Sequence, residues 1–507
     1  MTSSSNGVSR PFNHPDQPGS QHRLLRHDST LTVAQSVSLT IGGDSLHVVD
    51  ERSKSKDHRA CCGLLAKSVS AKTAHSISLY NILDAGLSPA GLTITYAQPA
   101  GKDSISVTAL EYPIADEEKV NAQTWITQLL DLAYGEAQQY KRLKVIINPF
   151  GGKGGASKSY HKRAAPVFAA ARCKVDVEET THQGHATEIV EQLDVDAYDA
   201  IVCCSGDGLP YEVFNGLAKK QNAGEALQKL AVAMIPCGSG NAMAWNLCGT
   251  GDVSVAALAI TKGLRTPMDL VSLTQGQTRT LSFLSQSFGV IAESDLGTDN
   301  IRWMGAHRFT YGFLVRIMQR TVYPCDLAIK VEIDDKKAIK EHYNTYAHNP
   351  APHRSPEETA GQSKGLPELK YGTVLDDLPK DWEVIPGEEM GNFYAGNMAI
   401  MSKDTNFFPA SLPNDGLMDI VTISGTIPRT TTLKMMTAVP EGDFFDMPDV
   451  KIRKASAYRL IPHQKAGYIS VDGESIPFEA FQAEVHKGLG TVLSKSGHLY
   501  EAEGPRA

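Results

Sequence analysis

The stretch that most restricts how this chain can fold is Ala200-Ile-Val-Cys-Cys-Ser-Gly-Asp-Gly-Leu-Pro-Tyr-Glu-Val-Phe-Asn-Gly-Leu217. Its apolar run, Ile201 to Cys204, has the length and composition of a buried strand. Ser205-Gly206-Asp207-Gly208 then breaks the run, and two glycines let the backbone turn sharply and approach a ligand closely. A helix is expected to follow, with Pro210 in its first turn, where a missing N–H costs little. Strand, glycine turn and helix together aim free N–H groups and a positive helix end at an anion such as phosphate. A carboxylate in that turn repels phosphate, so Asp207 is expected to handle a proton or a metal ion beside it.

The same order occurs twice more. Lys144-Val-Ile-Ile-Asn-Pro149 leads into Phe150-Gly-Gly-Lys-Gly-Gly155, and Leu230-Ala-Val-Ala-Met-Ile-Pro236 leads into Cys237-Gly-Ser-Gly-Asn241 and a helix over 242–247. Each loop alone is weak. A Gly-Gly run is commonly a tight turn, and the first loop lacks the Gly-Lys-Ser/Thr ending of a P-loop. An Asp in a turn commonly bonds its own backbone. Three strand ends, each carrying glycines and a polar side chain, can converge on one crevice, and jointly they favour a phosphate site.

From Leu143 to Gly263 strands and helices alternate, the pattern of an α/β domain with a parallel sheet. Strands are expected at 145–148, 175–178, 201–204 and 230–236, and helices at 156–171 and 185–193. From Met268 the text turns to β, including 270–273, 327–333, 393–401, 418–423, 457–461 and 468–471, with one helix at 308–319. Residues 335–390, with His348-Asn-Pro-Ala-Pro-His-Arg-Ser-Pro, read as a long mobile polar loop. Before Leu143, short alternating runs at 31–33, 37–41, 46–49, 77–79, 92–96 and 105–110 end in a helix at 117–140. That pattern suggests a β-rich, pleckstrin-homology-like module over 29–140. Residues 1–28 have a disordered composition. The formal net charge of −8 argues against nucleic acid as the main partner. No apolar run nears the roughly 20 residues of a membrane span, and Met1-Thr-Ser-Ser-Ser-Asn has no apolar h-region. Eight cysteines, two pairs of them adjacent (Cys61-Cys62 and Cys203-Cys204), make no disulfide framework and fit a reducing compartment.

Asn148-Pro-Phe-Gly-Gly152, Ser205-Gly-Asp-Gly208 and Gly238-Ser-Gly-Asn241, in this order and spacing, resemble the diacylglycerol kinase catalytic domain superfamily, and within it the sphingosine (sphingoid long-chain base) kinases. The resemblance spans roughly 141 to 500. It implies an α/β nucleotide-binding domain over 141–265 and a β-sandwich lipid-binding domain over 266–500. It implies ATP and Mg²⁺ as cofactors, and transfer of a phosphate to the primary hydroxyl of sphingosine, dihydrosphingosine or phytosphingosine. Ceramide or diacylglycerol kinase, or a catalytically silent lipid-binding adaptor, are the alternatives. Asp207 matches the family's catalytic aspartate. The resemblance places Asn148, Pro149, Phe150, Gly151, Gly152, Ser205, Gly206, Gly208, Gly238, Ser239, Gly240 and Asn241 around the nucleotide. It adds a threonine of Thr180-Thr181 and Asp472-Gly473-Glu474, although Asp-Gly reads first as a hairpin turn. Arg302 and Arg308 match arginines that reach the phosphates, and Asp295 matches the aspartate that recognises the lipid head. Phe150 stands where many relatives have a basic or polar residue. Glu212 and Asn215 read as braces, and Asn241 as a helix cap. Asp415 and Asp419 could help hold metal or be structural. A lipid substrate implies a cytoplasmic protein peripherally associated with internal or plasma membranes; a homodimer is compatible with the sequence.

Overall fold

The computed structural model describes residues 29–34, 36–50, 73–152, 154–298, 311–312, 315–316, 321–349 and 365–506. The adjacent pair Cys61-Cys62 and the phosphate-contacting positions Arg302 and Arg308 expected from the resemblance therefore lie outside the described residues, as does most of the helix expected at 308–319. The described chain divides into two compact units, residues 1–76 and 77–507, so the division falls inside the module expected at 29–140. The first unit holds antiparallel strands Ser29–Val33, Val37–Ile41 and Ser45–Asp50, whose alternate residues Leu31, Val33, Val37, Leu39, Ile41, Leu46 and Val48 are buried. The period of two read in the sequence puts these on one face.

The second unit opens with a three-stranded antiparallel sheet, Ile82–Ser88, Gly91–Pro99 and Ile105–Tyr112, then the helix Lys119–Tyr134. That helix stops at Gly135, in the left-handed region at φ 54°, short of the expected residue 140. The α/β domain follows. Its parallel strands are ordered Lys174–Glu179, Arg142–Ile147, Ala200–Ser205, Ala231–Pro236. The chain thus leaves the Arg142–Ile147 strand to one side and returns on the other. A crevice opens at the carboxyl ends of strands where such a reversal occurs, and the first two glycine loops leave from those ends. The two inner strands, Ala200–Ser205 and Ala231–Pro236, are buried along their whole length, as strands covered on both faces require, whereas the edge strand Lys174–Glu179 is charged and mostly exposed.

The sheet does not stop at the domain boundary. The long strand Phe481–Ser494 pairs parallel with Ala231–Pro236 through Val492 and antiparallel with Leu264–Gln275 and Lys451–Pro462. One mixed sheet therefore carries the α/β domain into the β-rich one. There Ser285–Gly289, Met390–Gly396 and Met418–Ser424 lie side by side, with Ile469–Val471 next to Ser285–Gly289 and Glu474–Ile476 beyond it at the edge. One face of these strands packs Phe288, Phe393, Ile420, Tyr458 and Phe481. The other carries Tyr394 and Val421 against Phe407, Phe408, Phe444 and Met435.

The expected loop at 335–390 is corrected in part. Lys336–His348 is a helix, started by the Asp335 side chain, which accepts the Ala338 N–H at 2.8 Å, and anchored by buried Ile339. Its polar composition hid a narrow apolar seam. Glu383–Gly387 is a strand, and Arg429–Ala438 is a further helix that the sequence reading lacked. Among the described residues no single helix is long and apolar enough to cross a membrane. Ala242–Cys248 and Val253–Thr261 reach that length only together, bent by 51°, and both are mostly buried in the core.

Candidate active site

Three glycine loops meet backbone to backbone at the carboxyl ends of the parallel strands. A Cβ on Gly238 would lie 2.3 Å from the Gly206 Cα, and one on Gly152 would lie 2.5 Å from the Cys237 carbonyl oxygen. One on Gly151 would lie 2.6 Å from the Ser205 hydroxyl. Real Cβ atoms do not tolerate such distances, so glycine here is a packing requirement as well as a conformational one. In the first loop Asn148 Oδ1 accepts the Phe150 N–H at 2.9 Å, a local turn that leaves the Phe150 ring 75% exposed. Lys153 lies outside the described residues.

Asp207 ties the second loop to the third. Its Oδ2 accepts the N–H of Ala242 and its Oδ1 that of Met243, each at 3.0 Å, at the start of the helix Ala242–Cys248. Burial pushes the Asp207 carboxyl above its ordinary range, against the pull of the Met243, Ala242 and Asn241 N–H groups. The expected cap is thereby corrected. Asn241 sits at the cap position with φ 56°, and its side chain turns back to close the loop. Its Oδ1 accepts the Gly238 N–H at 2.8 Å and its Nδ2 donates to the Gly238 carbonyl at 3.0 Å. Ser239 is exposed beside it.

The carboxylate of Glu474 reaches the same place from the β-rich domain: a Cβ on Gly208 would stand 2.6 Å from its Oε1. Asp472 and Gly473 form the tight hairpin turn between Val471 and Glu474, both with positive φ (53° and 86°). Asp472 itself faces inward. It accepts the Ser282 hydroxyl at 2.6 Å and the N–H groups of Phe283, Leu284 and Ser285 at 2.9 to 3.0 Å. Burial raises its carboxyl to about 6 despite these four donors. Asp472 thus fixes the turn, and Glu474 is the acid of the pair that approaches the glycine loops. Asp295, on the helix Val290–Leu296, accepts the Ser470 hydroxyl at 3.0 Å and lies 4.0 Å from where a Gly473 Cβ would stand. Sequence places Asp207, Asp295 and Glu474 far apart; strand pairing brings them to one end of the sheet.

At the next turn the two threonines separate. Thr180 is buried, while Thr181 is exposed and its hydroxyl lies 3.0 Å from His182 Nδ1 and 3.4 Å from His185 Nδ1. Glu212 accepts the N–H groups of Gly184 and Ala186 at 3.0 and 3.1 Å, holding the start of the following helix. Asn215 bonds both the N–H and the carbonyl of Leu281 at 2.9 Å, so it locks the second loop's helix to the β-rich domain. Both are braces.

The glycine cradle fits the phosphates of a nucleotide. For a metal ion the fit is incomplete: among the described residues no group of three acids, histidines or cysteines is arranged to hold one. Residues missed by the sequence reading are Ser285, Ser470 and Tyr394, which carry no local motif and emerge only from strand register.

Residues 142–273 match the Diacylglycerol kinase catalytic domain, and residues 372–493 the YegS C-terminal NAD kinase beta sandwich-like domain. Residues 29–135 match a Domain of unknown function. The fold and site therefore define a lipid kinase of the diacylglycerol kinase class, with an α/β catalytic domain, a β-rich N-terminal region and a C-terminal β-sandwich. The chain is 35% identical over 377 residues to Sphingoid long chain base kinase 4 of Schizosaccharomyces pombe, covering 74% of this chain and 79% of that protein. It is 34% identical over 430 residues to Sphingoid long chain base kinase 5 of Saccharomyces cerevisiae, covering 75% of this chain and 63% of that longer protein. Sphingosine kinase 2 of Arabidopsis thaliana is 30% identical over 383 residues, covering 70% of this chain and 76% of that protein. The chain belongs to the sphingoid long-chain base kinase family.

Proposed function

We propose that the chain transfers the γ-phosphate of ATP to the primary hydroxyl of a sphingoid long-chain base, giving the 1-phosphate. The observation that carries this is the half-buried Asp207 carboxylate, held at the junction of three glycine loops, with Glu474 reaching the same loops and Asp295 on the helix against the Asp472-Gly473 turn. The N–H groups and glycines of the loops bind the phosphates, and Ser239 and Thr181 offer hydroxyls to them. Asp207, raised by burial, accepts the proton of the attacking hydroxyl, and its two N–H donors keep its orientation fixed. Asp295 receives the ammonium of the substrate, and Ser470 holds that carboxylate in place. Arg302 and Arg308 are assigned to the phosphates on the family resemblance. Glu474 and Asp207 are the acids that would face a Mg²⁺ bound to the nucleotide, which would supply neutralisation of phosphate charge. A membrane amphiphile as substrate puts the chain at a membrane surface for part of its cycle, as a peripheral protein.

The test is ATP-dependent phosphorylation of sphingosine, dihydrosphingosine, phytosphingosine, ceramide and diacylglycerol by wild type and Asp295→Asn. We expect the three free amines to be phosphorylated and Asp295→Asn to lose them by about 10²-fold, the scale of a buried charge-assisted contact. Turnover of ceramide or diacylglycerol instead would overturn the substrate, and lipid binding without phosphorylation would overturn the enzyme.

A further inference from the structure

Tyr394 stands where one face of the β-rich sheet changes from apolar to polar. In register across neighbouring strands it is flanked by Val421 on one side and by Ser287, then Ser470, on the other. Directly opposed residues share a face with their side chains about 5 Å apart. The row therefore runs methyl groups, phenol, hydroxyl, hydroxyl, and its last member holds Asp295. Ser285, two residues before Ser287 and so on the same face, has its hydroxyl 3.4 Å from the Tyr394 hydroxyl.

The ring and the hydroxyl of Tyr394 face different chemistry. The ring packs between Phe407 and Phe408, each with its centroid 4.9 Å away, in the apolar cluster that continues to Phe444 and Met435. The hydroxyl is in the field of Asp295, Asp472 and Asp207, which adds to burial in pushing its proton affinity up. It is a neutral donor whose bond to Ser285 is at the long limit of a hydrogen bond. Buried phenols ordinarily find a close partner.

We infer that Tyr394 determines head-group specificity by donating to the hydroxyl on carbon 3 of the long-chain base. This rests on the function proposed above. With the primary hydroxyl on carbon 1 at Asp207 and the amine on carbon 2 at Asp295, the next polar group is the carbon-3 hydroxyl, and beyond it the substrate is hydrocarbon. Tyr394 is the residue at which the protein makes the same change.

The experiment is a kinetic cycle of wild type and Tyr394→Phe against dihydrosphingosine and its 3-deoxy analogue, with the thermal midpoint of each protein as a folding control. The expected result is a roughly 10-fold rise in KM for dihydrosphingosine, the scale of one hydrogen bond, with kcat within about twofold. The 3-deoxy analogue should bind wild type that much more weakly and be indifferent to the substitution. An equal effect of Tyr394→Phe on both bases, or no effect on either, overturns the assignment while the function stands. If wild type phosphorylates neither base, the function itself falls, and the Tyr394 role falls with it.

Discussion

At Asp207 a carboxylate is held by backbone N–H groups and left half-buried where three loops meet, whereas at Asp415 and Asp419 two carboxylates are sealed around the ammonium of Lys454. The second arrangement is closed. Lys454 Nζ lies 3.2 Å from Asp415 Oδ2 and 3.3 Å from Asp419 Oδ2, with all three side chains 2% exposed or less, and His342 Nε2 lies 3.0 Å from Asp415. Asp419 and Lys454 are directly opposed on paired strands, so the contact is built into the register. Of the two roles open to Asp415 and Asp419 in the sequence, the structural one fits, because Lys454 already stands where a metal would. A protein that needs carboxylates only to hold its fold supplies the cation from its own side chain and excludes water. Asp207 and Asp295, by contrast, are tethered through N–H and hydroxyl donors and are only half-buried, as acids that meet a charge arriving with a substrate would need to be.

The sharpest way to test that contrast is Asp207→Asn. The amide keeps an acceptor for one helix N–H, so the fold should survive, with a thermal midpoint within a few degrees of wild type. It cannot take a proton, and kcat should fall by about 10²–10⁴-fold, the span attributed to a positioned base. Nucleotide affinity, measured by titration calorimetry, should change little. Near-normal turnover would remove Asp207 from the reaction and leave it a helix cap.

Lys454→Met should do the reverse. It strands two buried carboxylates, which costs about 3–5 kcal/mol when one partner of a buried pair is removed. Chemical denaturation should report that loss, and any folded fraction should keep the wild-type KM for base and nucleotide. Adding Asp415→Asn and Asp419→Leu to it should restore much of the stability. A Lys454→Met protein that is as stable as wild type but inactive would move this cluster from the fold to the chemistry.

How much of this could be read beforehand follows the range of the interactions. Glycine loops, apolar strands and the Asp472-Gly473 turn are local, and the residues that make them are adjacent in the chain. The pairing of Phe481–Ser494 with Ala231–Pro236 is not, nor is the row Tyr394, Ser287, Ser470, so neither the shared sheet nor the polar face around Asp295 has a signature. In the sequence Asn241 reads as a cap because Asn favours that position; the left-handed backbone there turns its side chain elsewhere and gives the helix start to Asp207, from another loop. The Lys336–His348 helix was hidden for a different reason. Only Ile339 of its residues is buried, so its pattern looks like solvent-facing loop until the rest of the sheet supplies a surface for it.

The smallest expected effect is in the pH dependence of stability, and it follows from the count of charges around Lys454. One ammonium cannot satisfy two carboxylates. Burial opposes ionisation of Asp415, but Lys454 and His342 outweigh it and hold that carboxyl below its ordinary value. Burial, with the charge on Asp415 adding to it, raises Asp419 to about 6, and its Oδ1 has no hydrogen-bond partner. A folded carboxyl raised above its unfolded value stabilises the fold most below the unfolded value, near 3.8, and that contribution is lost as pH rises through about 6. Asp415 has the opposite sign, its contribution being lost as pH falls. Asp419→Asn, which cannot titrate, should therefore gain stability relative to wild type between pH 4 and 6, by at most about 1.4 kcal/mol per pH unit, and track it above that. Denaturation midpoints for the two proteins at half-unit steps from pH 4.5 to 7.5 measure the difference. Parallel curves throughout would mean that Asp419 is already ionised in this range and that the cluster carries its extra negative charge without cost, a tolerance the present geometry gives it no means to achieve.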